Sequence, residues 1–230
     1  MARSLALLAA VAAATAPLSA QQASTISEPS SGVPFPTELE VPGSTAHHVL
    51  TGTGIRVKTF LKVKVYAFGL YVDPNGARAT LGAYSDKSAK DLERDQTFYQ
   101  TILDQDFAMT LRLVMTRDVG GEDMADAFDG ALRPRVQRAD SEMGMPGGEQ
   151  ALDQFRAYFS LGEMTKGAEI VFSCSPDGNL TTAVKGELQP AIQSPALCWA
   201  LFDVYLGQHP ISGDGKKRVI ARFPQILAGG

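Results

Sequence analysis

The chain has 230 residues, a formal net charge of −4, 44% hydrophobic and 20% charged residues, and two cysteines. A mildly acidic chain without a basic stripe carrying interleaved aromatics offers no field for a phosphate backbone, so no nucleic acid is expected as a partner. The length suits one sizeable domain, since a single core keeps growing up to about 250 residues.

Residues 1–20 carry Arg3, an apolar run over residues 5–16, then Pro17, Leu18, Ser19 and Ala20. This is the layout of a bacterial secretory signal peptide, and the apolar run is too short to cross a bilayer. Cleavage after Ala20 is expected, with Leu18 bulkier than usual three positions before the cut. Export across the inner membrane to the periplasm follows as the expected localisation, and no later run calls for stable membrane insertion. Residues 21–44 read as a flexible lead-in and extended arm. Residues 21–31 are small and polar, while Pro34 and Pro36 make residues 33–41 an edge strand. The remaining domain covers residues 45–230.

Residues 46–72 hold the strongest strand signal. After a Gly52-x-Gly54 step, lysines first alternate with apolar residues and then apolar residues fill both faces, as in a strand that starts half exposed and ends covered. Asp73, Pro74, Asn75 and Gly76 read as a turn. Residues 89–103 show helical spacing at Leu92, Phe98, Tyr99 and Ile102. Phe107, Met109, Leu111, Leu113 and Met115 share one face of the next strand. A helix over residues 122–138 places Met124, Ala127, Phe128, Ala131 and Leu132 on one stripe, with Pro134 as a point of kinking or early termination. A second helix covers residues 147–159. Strands over 168–175 and 180–188 are joined by Pro176, Asp177, Gly178 and Asn179, a strong hairpin signal. Residues 190–206 and 212–221 are helical, the latter capped by Ser212. Strands and helices without regular alternation specify an α+β fold.

Cys174 falls in a strand and Cys198 in a helix, each among apolar neighbours. Two packed thiols are the favoured reading, and a disulfide is the alternative that an oxidising compartment permits. His47 and His48 lack a second ligand cluster nearby in sequence, and Gly52-x-Gly54 lacks the third glycine and helix of a dinucleotide site. No metal and no cofactor is therefore expected.

Gly52, Thr53, Gly54, Ile55 and Arg56, followed by Lys64, Val65, Tyr66, Ala67, Phe68, Gly69, Leu70 and Tyr71, resemble the chalcone isomerase superfamily. So do the Ser175-Pro-Asp-Gly178 hairpin, the stretch from Leu201 to Ser212 and the close at Ala221-Arg-Phe-Pro224, in the same order over residues 45–227. The resemblance implies an open-faced β-sandwich of the chalcone isomerase type, a large antiparallel sheet covered by helices with the ligand between them. The family has enzymes that cyclise chalcones, with an arginine, a strand threonine, and a helix tyrosine and asparagine. It also has non-catalytic fatty-acid binders that keep the arginine and place a tyrosine for the threonine. Arg56 matches the shared arginine, Tyr66 the binders' tyrosine. Met124 and Ala131 fall at the helix tyrosine and asparagine, and Val204 where the enzymes carry a small hydroxyl residue.

The residues themselves point the same way. A cavity lined by Met109, Leu113, Met115, Met124, Phe128, Ala131 and Val204 is apolar, and a guanidinium facing it needs a partner to offset desolvation. A ligand carboxylate answers that need, because arginine presents a planar fork and a phenol donates one further bond. The expected partner is thus a small amphipathic acid such as a fatty acid, with Arg56 and Tyr66 at its head. Arg56 and Tyr66 become the candidate catalytic pair only in the rival reading, an isomerase acting on a chalcone-like enone. A second rival is a protein that docks a partner and has no ligand.

Overall fold

The computed structural model describes residues 24–58, 62–159 and 162–229; the expected leader lies outside them. In chain order the strands are β1 (Thr25–Ser27), β2 (Pro34–Pro36), β3 (Glu38–Glu40), β4 (His47–Lys58), β5 (Val63–Val72), β6 (Met109–Met115), β7 (Val119–Gly120), β8 (Glu163–Met164), β9 (Glu169–Cys174), β10 (Asn179–Val184), β11 (Glu187–Leu188) and β12 (Ile192–Gln193). The helices are α1 (Pro74–Leu81), α2 (Ala89–Arg94), α3 (Gln96–Leu103), α4 (Gly121–Met143), α5 (Gly148–Ala157), α6 (Pro195–Leu206), α7 (Gly213–Arg218) and α8 (Phe223–Leu227).

A curled antiparallel sheet in the order β11-β10-β9-β6-β5-β4-β3 forms the body of this α+β fold. Alternation along its strands sorts side chains onto two faces. Tyr66, Phe68, Leu70 and Val72 of β5 join Met109, Leu111, Leu113 and Met115 of β6 in the main core under the helices. Ala67 and Tyr71 point the other way and pack with Leu50, Val114 and Phe35 in a second, smaller cluster.

That second cluster corrects the flexible lead-in. From Ser24 onward the arm is ordered: β1 pairs with β2, Phe35 is fully buried on the back of the sheet, and the Arg112 guanidinium stacks 5.1 Å from its ring. Buried Glu28 closes the turn between them by accepting from the Ser30 and Ser31 amides at 3.0 and 2.7 Å. Apolar area on an exposed sheet face is removed from water this way, at about 25 cal/mol per Å².

Other departures have local causes. Asp73, expected in a turn, is an N-cap: its carboxylate accepts from the Asn75 and Gly76 amides at 3.0 Å each, and Pro74 opens α1 at the first helical position. The helix expected over 89–103 breaks in two at Asp95, which caps α3. Pro134 does not end α4, which runs on to a left-handed Gly144. The helix expected from residue 190 begins only at Pro195, because Ile192–Gln193 first pairs with β10.

Cys174 and Cys198 form a disulfide with Cα atoms 5.9 Å apart, against the favoured reading of two free thiols. The β9–β10 hairpin explains the encounter. Its Gly178 carbonyl accepts from the Ser194 amide at 2.9 Å, Ser194 caps α6, and the first turn of α6 is thereby laid over the end of β9.

Candidate functional site

Between the adjoining ends of β4 and β5, residues 123–135 of α4 and the C-terminal half of α6 lies a cavity of about 760 Å³, a size ordinary for small-ligand sites. Its polar end is built by strand register. Arg56 and Tyr66 are direct cross-strand partners, so both side chains project to the same face. Immediately beyond them the pairing slips by one residue, from Arg56↔Tyr66 to Val57↔Lys64. Such a bulge turns two successive β5 residues, Val65 and Tyr66, onto the cavity wall.

The apolar walls come from both helices. All five stripe residues of α4, Met124, Ala127, Phe128, Ala131 and Leu132, line the cavity, and Leu201 and Val204 of α6 face them. Of the predicted site residues, Arg56, Tyr66, Met124, Phe128, Ala131 and Val204 thus come together. Met109, Leu113 and Met115 do not belong there. They are at most 1% exposed, packed within the main core rather than on the cavity wall.

The cations around the cavity differ in what they have left to offer. Arg135 of α4 is engaged at all three nitrogens: Nε donates to Asp203 at 2.8 Å, Nη1 to the Ala131 carbonyl at 2.7 Å and Nη2 to the His209 carbonyl at 2.9 Å. Arg117 and Lys58 are exposed at the rim beside Asp118, Asp123 and Asp126. Half-buried Arg56 makes, among the described residues, one long bond, from Nη1 to the Ile211 carbonyl at 3.4 Å. Most of its fork remains for another acceptor.

Tyr205 of α6 was missed by sequence reasoning. Its hydroxyl lies 3.0 Å from that of Tyr66, it lines the same cavity, and its ring packs edge-on against Phe68 at 4.8 Å. Residues 196–206 of α6 are all buried, so an apolar stripe does not reveal which face meets a ligand; the one signal was a phenol adjacent to Val204. Burial raises the pKa of Tyr66, opposed by the bond to Tyr205 and the charge of Arg56. Burial raises that of Tyr205 further, with the neighbouring phenol adding to the rise. Both phenols therefore stay protonated and act as donors. Among the described residues no cluster of three or more metal-ligating side chains occurs, and no helix is long and apolar enough to cross a membrane.

The family described as "Chalcone isomerase like" matches residues 46–220. The chain is 31% identical over 207 residues to fatty-acid-binding protein 2 of Arabidopsis thaliana, covering 87% of this chain and 51% of that protein. It therefore spans about half the length of that relative. It is 30% identical over 207 residues to a chalcone-flavanone isomerase of Oryza sativa subsp. japonica, covering 85% of this chain and 88% of that enzyme. The crystal structure of an Arabidopsis thaliana fatty-acid binding protein superposes with a TM-score of 0.74 at 22% identity, covering 89% of this chain and 100% of that one. At that identity the likeness establishes the fold.

Proposed function

The chain belongs to the chalcone isomerase-like family, and from that premise we propose that it binds a fatty acid or similar amphipathic carboxylic acid without transforming it. The observation that carries this reading is the unequal use of the cavity's arginines. Arg135 is engaged at all three of its nitrogens, whereas Arg56, facing Tyr66 across the strand pair, keeps most of its fork free at the end of an apolar hollow. A carboxylate there takes two parallel bonds from the guanidinium and one from the phenol. The alkyl tail runs along Met124, Phe128, Ala131 and Val204, each buried methylene adding about 0.8 kcal/mol. Similarity to plant fatty-acid-binding proteins supports the binding role.

Ring closure of a chalcone asks for donors aimed at the charge growing on the ketone oxygen. The positions that the resemblance assigns to the enzymes' tyrosine, asparagine and small hydroxyl residue are Met124, Ala131 and Val204, which supply none. A cavity of about 760 Å³ also speaks against a collapsed pocket in a purely docking protein. Export to the periplasm belongs to the same proposal, supported by the leader-like residues 1–20 and by the disulfide, a bond that persists in oxidising compartments.

Mass spectrometry of small molecules released from natively purified protein tests the assignment. A monocarboxylic acid is expected, and Arg56→Ala should deplete it, with dodecanoate affinity falling about 10- to 150-fold for the loss of charge-assisted bonds. An unchanged ligand profile in that variant removes Arg56 from the site. Steady cyclisation of a chalcone by the wild-type chain overturns the non-catalytic reading.

A further inference from the structure

We propose that Tyr205 is a positioning residue of the head-group site: its hydroxyl donates to that of Tyr66 and so turns the Tyr66 proton toward the ligand carboxylate. The proposal rests on the reading of Arg56 and Tyr66 given above.

Two phenols carry two protons, and the pair makes one bond. Tyr66 is 7% and Tyr205 2% exposed, their oxygens are 3.0 Å apart, and among the described residues each hydroxyl has the other as its hydrogen-bond partner. One proton of the pair is therefore left without an acceptor where water is scarce, which is costly for a buried donor. Both residues line the cavity, so an anionic oxygen arriving there supplies what is missing.

Position decides which phenol stands at the ligand end. Tyr66 projects from the strand directly opposite Arg56, while Tyr205 comes from α6, its ring held edge-on by Phe68. The bonds then run from Tyr205 to Tyr66 to one carboxylate oxygen, with the Arg56 fork on the carboxylate as well. Donors in series polarise one another, so Tyr66 donates more strongly with Tyr205 behind it than alone. Burial keeps both phenols protonated, so the relay runs in the donating sense. A head that accepts without charge, such as an alcohol, gains little from this arrangement.

Calorimetric titration of the delipidated full-length mature chain with dodecanoate and with dodecanol tests it, in wild type, Tyr66→Phe, Tyr205→Phe and the double variant. Tyr205→Phe should weaken dodecanoate about 3- to 10-fold and leave dodecanol unchanged. In the Tyr66→Phe background the second substitution should have no further effect, the outcome that a role in packing alone would not produce. Equal weakening of both ligands, or an undiminished effect without the Tyr66 hydroxyl, overturns the proposal. Should the phenylalanine variant fail to fold, Tyr205→Met fills similar space without a donor and carries the same comparison. A wild-type chain indifferent to dodecanoate refutes the reading of the site itself; one that binds it through Arg56 and Tyr66 but ignores Tyr205→Phe refutes this inference alone.

Discussion

Reducing the Cys174–Cys198 bridge in an otherwise unchanged chain removes a constraint whose size follows from its span. The bridged residues are 24 apart in sequence. A loop of that length restricts the unfolded chain by about 11.6 cal/mol/K in the chain-entropy relation, or about 3.4 kcal/mol at 25 °C. Reduction is a cleaner perturbation than substitution, because replacing either cysteine also changes packing where the two side chains are 2% and 0% exposed. The same burial shields the bond in the native state. Reduction is therefore done in urea, and the protein is refolded with and without dithiothreitol. Far-ultraviolet circular dichroism across a urea series should then give a free energy lower by about 3.4 kcal/mol for the reduced form, and a Tm lower by about 7–14 °C for a domain of this size. Because α6 carries Val204 and Tyr205 as well as Cys198, slack at its first turn should also appear as weaker dodecanoate binding. Coincident urea transitions for the two forms would refute the reasoning, as would two titratable thiols in the unfolded, unreduced chain.

Stability should also depend on pH through His48, which burial lowers to a pKa of about 4, against the smaller opposing pull of Asp73. The unfolded chain takes up that proton first, so the contribution is complete above pH 6.5 and is lost as pH falls from 6.5 through about 4, an effect of about 3 kcal/mol. Urea midpoints across that window should fall more steeply for wild type than for His48→Asn; equal slopes would clear His48 of the role. Phe35→Ala should cost about 3–5 kcal/mol through lost burial and the cavity left behind, and a loss under 1 kcal/mol in urea would mean that the arm adds little to the sheet. Gly52→Ala places a methyl group against the Arg218 carbonyl, so α7 must shift; about 1–3 kcal/mol of destabilisation is expected, and an unaltered Tm would contradict that close approach.

What could be read from sequence followed the strength of local signals. Alternation in β4 and β5 and the Asp177-Gly178 turn announce themselves because each is specified by neighbouring residues. Asp73-Pro74 read as a turn, yet an acidic residue followed by proline opens a helix equally well. Arg56 and Tyr66 were singled out by the family resemblance rather than by any local pattern; the strand register accounts only for their shared face. The methionines of β6 share a face with Tyr66, but facing the right way does not say whether a residue is packed over or left open, and Met109 and Met115 are packed into the core. The disulfide and Tyr205 both depend on how α6 is seated against the hairpin, a long-range fact with no periodic trace.

Glu28 and Arg218 approach to 3.5 Å across 190 positions of sequence, and Arg222 donates to the Leu50 carbonyl at 2.7 Å. Segments far apart along the polypeptide thus meet at one seam. A ribosome delivers about 5–20 residues per second, so the early arm waits on the order of 10–40 seconds for the segment that locks it. The arm should accordingly reach its final seat only once the segment carrying Arg218 and Arg222 is available to it.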